Sequence, residues 1–160
     1  MEAMGTLMRG ELMKTLICAL MLGLSLPAAM ANMNQSKPAA NKEDADFVAG
    51  KKAIDRKDWK AAIEALSRSL KRAPESADAH NYLGYAYRHL NDLTLSFKHY
   101  KEALRIDPNH LGAHEYIGEA YLKAGQPDKA EEHLARLEQI CGKRCEAYQD
   151  LAKSIGAYQK

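Results

Sequence analysis

The chain has 160 residues, 46% of them apolar and 28% charged, with 23 Lys and Arg against 21 Asp and Glu. That length holds one domain, or one domain and a targeting segment, and the ordinary charge content excludes wholesale disorder. A formal charge of +2 is too small to drive nucleic-acid or membrane-surface binding, and three cysteines are too few for a disulfide-dense scaffold.

Residues 1–31 read as a signal peptide. Residues 16–26 (LICALMLGLSL) are an uncharged apolar run of eleven, well short of the ~20 residues that span a bilayer. Lys14 supplies a positive charge before the run, and Ala29-Met30-Ala31 places small residues where a signal peptidase needs them. Glu2 and Glu11 sit against that pattern, so a start at Met8 or Met13 fits it better. Cleavage after Ala31 removes Cys18 and leaves Cys141 and Cys145 in a compartment that favours disulfides. The expectation is export with no stable membrane anchor afterwards. Residues 32–42 (NMNQSKPAANK) are polar and aperiodic, a flexible leader.

Everything beyond the leader repeats with a period of 34 residues. Gly50, Gly84 and Gly118 align, as do Tyr87 with Tyr121 and Pro74 with Pro108. Ala62, Ser96 and Ala130 are all small, whereas Leu66, Tyr100 and Leu134 are all bulky. A period of that length denotes a stacked repeat. Apolar spacing decides for helices, in chain order over residues 45–56, 59–71, 77–90, 93–106, 111–123, 128–139 and 146–158. Asn91-Asp92 divides one pair, and Asp107-Pro108-Asn109 ends it. The aligned glycines fall inside helices, where glycine costs roughly 1 kcal/mol against alanine, so close helix approach is expected there. The seventh helix carries Tyr148, Leu151, Ile155 and Tyr158 at helical spacing and is expected to cover the apolar face that a terminal repeat exposes.

These residues resemble the tetratricopeptide repeat, whose pattern runs bulky-x2-L-G-x2-Y, then A-x3-F-x2-A, then P. The second unit matches through Leu83-Gly84, Tyr87, Tyr100, Ala103 and Pro108. The third matches through Ile117-Gly118, Tyr121, Ala130 and Leu134, with Gly142 in place of the proline. The first keeps Gly50, Trp59, Ala62, Leu66 and Pro74, with Ala49 and Ala53 replacing the leucine and tyrosine. The resemblance implies an all-α solenoid of three repeats (residues 43–76, 77–110 and 111–142) closed by a capping helix in residues 143–160. It further implies a non-catalytic interaction module holding a peptide or partner helix in a concave groove. By register, the groove residues are Asn81, Tyr85, Arg88 and His89 in the second repeat and Glu115, Glu119 and Lys123 in the third. Family members that clamp chaperone carboxylates use Lys and Asn, then Asn, then Lys and Arg. The matching positions here hold Phe47 and Lys51, then Tyr82, then Gly112 and Tyr116, so that clamp is absent. The tail ICGKRCEAYQDLAKSIGAY resembles endings of small exported bacterial members, which implies the periplasm of a Gram-negative bacterium.

Cys141-Gly142-Lys143-Arg144-Cys145 is the sharpest local signal. A disulfide pinning the last turn would stabilise the chain by roughly 2 kcal/mol. The alternative is a periplasmic thiol–disulfide accessory, its thiolates favoured by the adjacent cations. Of the six histidines, His110 and His114 are four apart, but HLGAHE lacks the H-E-x-x-H order of a zinc protease. His80 and His114 sit one period apart, which marks repeat positions and not ligands. No nucleophile elbow, phosphate loop or dinucleotide fingerprint occurs, so no enzyme activity, metal or cofactor is expected, and no nucleic-acid partner.

Overall fold

Five of the seven described helices start where a side chain takes over an orphaned amide. Asp44, Asp58, Ser76, Asp92 and His110 each accept a hydrogen bond from the backbone N–H two or three residues on. A computed structural model describes residues 44–159. The signal segment 1–31, the leader 32–42 and Cys18 lie outside the described residues. Within them are seven α-helices and no strand: α1 (Ala45–Asp55), α2 (Trp59–Arg72), α3 (Ala77–His89), α4 (Leu93–Ile106), α5 (Leu111–Lys123), α6 (Pro127–Cys141) and α7 (Glu146–Tyr158). The expected helices match to within a residue at most ends. The exception is α6, which starts one residue earlier because Pro127 suits a first-turn position. It also runs on to Cys141, where Gly142 at φ +75° ends it.

The turns inside the hairpins share one conformation. Lys57, Asn91 and Gly125 are one period apart and all left-handed, at φ +59°, +64° and +72°. Each turn closes with the same bond at 2.9 Å, Asp58 N–H to the Ala53 carbonyl, Asp92 to Tyr87 and Gln126 to Tyr121. The 34-residue register therefore extends to individual backbone angles.

The first two hairpins pack through their glycines. A β-carbon on Gly50 would stand 2.6 Å from Leu66 Cγ, and one on Gly84 would stand 2.6 Å from the Tyr100 ring. Ser96 completes the second seam by donating its hydroxyl to the Gly84 carbonyl at 2.9 Å. The third seam departs from the register. A β-carbon on Gly118 meets Leu151 of α7 at 2.6 Å, so the capping helix and not Leu134 of α6 supplies its nearest contact. Leu151 and Ile155 join Leu122, Ala130 and Leu137 in one buried cluster, which makes α7 the lid of the last repeat. Odd-numbered helices pack in succession, α1 on α3, α3 on α5 and α5 on α7, whereas even-numbered helices touch no other even-numbered helix. The array is thus a solenoid whose concave side is made by α1, α3, α5 and α7. No described helix is long and apolar enough to cross a membrane.

Gly84→Ala is expected to destabilise the protein by about 2–3 kcal/mol, because Tyr100 is fully buried and its ring has nowhere to move. Gly156→Ala, on an open face of α7 with nothing within 4 Å, is expected to stabilise it by up to about 1 kcal/mol. Urea unfolding of the two variants checks both signs.

Candidate functional site

The concave helices present two chemistries in sequence. Over α1 and α3 the surface is aromatic. Phe47 and Tyr82 pack with ring centroids 5.9 Å apart, and Lys51 lies 5.8 Å over the first ring and 5.9 Å over the second. Trp59, at the start of α2, stacks on His89 at 4.3 Å and meets Tyr85 edge-on at 5.9 Å. The residues at the carboxylate-clamp positions are therefore assembled into an aromatic and cationic corner instead.

At the seam of α3 and α5, Arg88 lies over Tyr85 at 5.2 Å and Tyr116 at 5.8 Å, and the two rings are 4.9 Å apart. Its guanidinium, only 13% exposed, pairs with Glu119 at 2.5 Å. Burial opposes the charge on Arg88, but Tyr100 and Glu119 outweigh it and raise its pKa. Glu119 also accepts from Ser154 of α7 at 3.2 Å, and Lys123 donates to the Arg88 carbonyl at 3.0 Å. One polar network thus stitches α3, α5 and α7.

Beyond it the surface turns acidic. Two cavities of about 330 Å³ open between α5 and α7. Glu115 and Asp150 line both, with Glu119, Lys153 and Ser154 in one and Tyr116 and Glu146 in the other. Half-buried and facing Glu119 and Asp150, Glu115 has its carboxyl pushed up to about 7; burial is the larger cause and the neighbouring carboxylates the next. Burial, followed by Glu115, likewise pushes the Tyr116 hydroxyl up to about 12.

Of the residues expected from the register, Tyr85, Arg88, His89, Glu119 and Lys123 are brought together, and Glu115 borders them. Asn81 is not at the surface: it is 4% exposed, with its amide nitrogen against Gly112. The sequence reading missed the packing of Trp59 on Tyr85 and His89 and missed the contribution of α7. Its signal was available, since Glu146, Asp150 and Ser154 fall at i, i+4, i+8, one step off the apolar stripe of Ala147, Leu151 and Ile155. No group of three or more potential metal ligands occurs among the described residues.

Two family models, both described as tetratricopeptide repeat, match residues 47–110 and 96–155. No curated protein matches the sequence. Among solved structures, the TPR2B domain of yeast Sti1 in its Hsp70 complex is similar with a TM-score of 0.64 at 19% identity, covering 71% of this chain and 93% of that one. The first TPR of Spaghetti (RPAP3), bound to the HSP90 peptide SRMEEVD, gives 0.63 at 16% identity over 72% and 91%. A mutant O-GlcNAc transferase of Thermobaculum terrenum gives 0.63 at 21% identity over 69% of this chain but only 21% of that one. At such identities the likeness is one of fold.

Replacing Glu115 by Gln removes a carboxyl whose native pKa lies above its ordinary 4.5. The native state holds that proton more tightly than the unfolded chain, so the group's contribution is favourable in acid and lost as pH rises through about 7. Glu115→Gln is expected to melt above the wild type at pH 8, with the gap closing toward pH 5. Paired thermal melts at the two pH values check it.

Proposed function

Because the chain belongs to the tetratricopeptide-repeat family, we propose that it is a non-catalytic interaction module whose concave groove holds an extended peptide or a partner helix. The observation that carries this reading is the face of α3, α5 and α7. There Glu115 and Asp150 line two cavities, Tyr116 lines one of them, and Tyr85 packs against Tyr116 beside it. Aromatic rings with a polar handle and a half-buried charge are the side chains that concentrate binding energy. The groove fits a segment with an aromatic or aliphatic residue against Tyr82 and Tyr85 and a cationic residue toward Glu115 and Asp150. An acidic tail like SRMEEVD, seen in one fold neighbour, meets like charge there and an aromatic corner where the carboxylate clamp would stand.

Fluorescence anisotropy with two labelled peptides tests this, one combining aromatic and Lys/Arg residues and the other SRMEEVD. The first is expected to bind and the second not, and Tyr85→Ala is expected to weaken binding by about tenfold or more. Arg88 is a poor probe, since its removal strands Glu119 in a half-buried site. Failure of both peptides to bind would remove the groove reading.

The proposal includes export and a structural disulfide. The apolar run and the Ala29-Met30-Ala31 site support the first. Supporting the second, Cys141 closes α6 and Cys145 opens α7 with their Cα atoms 5.9 Å apart, within disulfide range. A bond there fixes the angle at which the lid leaves the last repeat. Intact mass of the periplasmic fraction, with and without reductant, is expected to show a chain beginning at Asn32 that gains two hydrogens on reduction. A bond that glutathione buffers open and close freely would favour the thiol–disulfide accessory instead.

A further inference from the structure

Four histidines form two copies of one hydrogen-bonded unit, 34 residues apart. In the first, His80 Nε2 lies 3.2 Å from the Pro74 carbonyl, His80 Nδ1 lies 3.0 Å from His99 Nδ1, and the His99 ring stacks on Tyr87 at 5.5 Å. In the second, His114 Nε2 lies 3.0 Å from the Pro108 carbonyl, His114 Nδ1 lies 2.9 Å from His133 Nδ1, and His133 stacks on Tyr121 at 5.7 Å. Each unit joins three elements: the turn before a hairpin, the hairpin's first helix and its second helix.

The protons follow from donor and acceptor chemistry. A carbonyl only accepts, so His80 and His114 carry N–H at Nε2, and their neutral Nδ1 accepts. The facing Nδ1 of His99 and His133 must then be the donor. One added proton per unit goes to the outer Nε2 of His99 or His133 and leaves both bonds in place. A second has no free lone pair at the junction; it takes the Nδ1 that is already accepting, breaks the Nδ1–Nδ1 bond and sets two cations face to face. The ring centroids are 5.3 Å apart in the first unit and 5.1 Å in the second. Burial, then the facing imidazole, lowers His99 and His133 to about 4, and burial also lowers His114.

We propose that the two units are a paired acid-sensitive latch: the Nδ1–Nδ1 bonds tie α3 to α4 and α5 to α6 within the second and third hairpins, and acidification releases both junctions together. The charged groups around the latch do not cancel this. Lys98 and Glu102 of α4 face His99 with opposite signs, and Glu75 beside Pro74 is already paired with Arg105 at 2.7 Å. Arg136 of α6 and His110 face His114 and disfavour added charge, whereas Asp107 favours it. Glu132 faces Tyr121, and Lys129 lies 5.2 Å over its ring. The first repeat has no such unit: at the register of His80, Tyr87 and His99 stand Asp46, Ala53 and Ala65. Asp46 is held by Arg68 at 2.9 Å and Arg72 at 2.6 Å. Acid therefore acts on the second and third repeats, whose first helices α3 and α5 also carry the groove; only that consequence for the groove rests on the reading above.

Below the ordinary imidazole pKa of 6.5 the unfolded chain binds four protons at these rings, and the latched state holds at most two. The depressed native values mean that stability is present above 6.5 and lost as pH falls toward 4. The test uses the full chain and the double variant His99→Asn/His133→Asn. An asparagine amide donates to a neutral imidazole or, flipped, accepts from a protonated one, so it keeps the link without withholding a proton. The wild-type folding constant is expected to fall about a hundredfold per pH unit more steeply than the variant's between pH 6 and 5. Glu115 titrates in both proteins and drops out of the difference. Parallel pH profiles overturn the proposal. Imidazole nitrogen NMR of the wild type provides a second measurement independent of the variant's folding. Nε2–H at His80 and His114 with Nδ1–H at His99 and His133 at pH 7.5 supports the latch. Four rings titrating independently near pH 6.5 overturn it.

Discussion

Absent β-carbons set the spacing of this solenoid. At Gly50, Gly84 and Gly118 a facing side chain occupies the space that a methyl group would need, within 2.6 Å of where a β-carbon would stand. The helical-propensity penalty of about 1 kcal/mol at each glycine is outweighed by what the approach permits. Leu66, Tyr100 and Leu151 are all fully buried, each contributing roughly 1.5–3 kcal/mol of apolar burial. Once α1 and α3 lie this close to their hairpin partners, the odd-numbered helices stack on one another and the even-numbered ones splay apart. Curvature, and the existence of a concave face, follow from that inequality.

The architecture was legible because each repeat writes the same physical solution again. Lys57, Asn91 and Gly125 share a left-handed turn although only Gly125 is free of steric penalty there; the repeat's closure requires the angle, and two side chains tolerate it. What the register did not reveal is where repetition stops. Leu134 aligns with Leu66 and Tyr100, yet Leu151 is what closes on Gly118. A terminal repeat has no successor to pack against it, so α7 moves into the last seam, and no periodic pattern encodes a helix that occurs once.

The groove was legible only in part for a related reason. Register identifies which positions face inward but not what they touch. Asn81 is one such position, and it lies buried behind Gly112 because the third repeat has no side chain there to hold it outward. Arg88 reads as a groove residue by register, and in the fold it is committed, lying over Tyr85 and Tyr116 and paired with Glu119. The aromatic corner of Phe47, Tyr82 and Lys51 needed two separate helices, α1 and α3, packed together before it existed at all. The histidine units were visible as a spacing, since His99 and His133 each follow their partner by nineteen residues. Their bonding was not, because it depends on the carbonyls of Pro74 and Pro108 fixing a tautomer.

The lid and the groove are the same object, and this constrains both. The apolar stripe of α7, Ala147, Leu151 and Ile155, closes the third repeat, while its polar stripe of Glu146, Asp150 and Ser154 forms the far wall of the cavities beside α5. A rotation of α7 about its axis would expose Leu151 and withdraw Ser154 from Glu119, so packing fixes which carboxylates the groove presents. Burial first, and then the crowding of those carboxylates, raises the pKa of Glu115. A fold needing only a cap would have no reason to keep that repulsion, because a neutral side chain at Glu115 or Asp150 leaves the apolar stripe untouched. The strain belongs to the face that we propose a partner occupies.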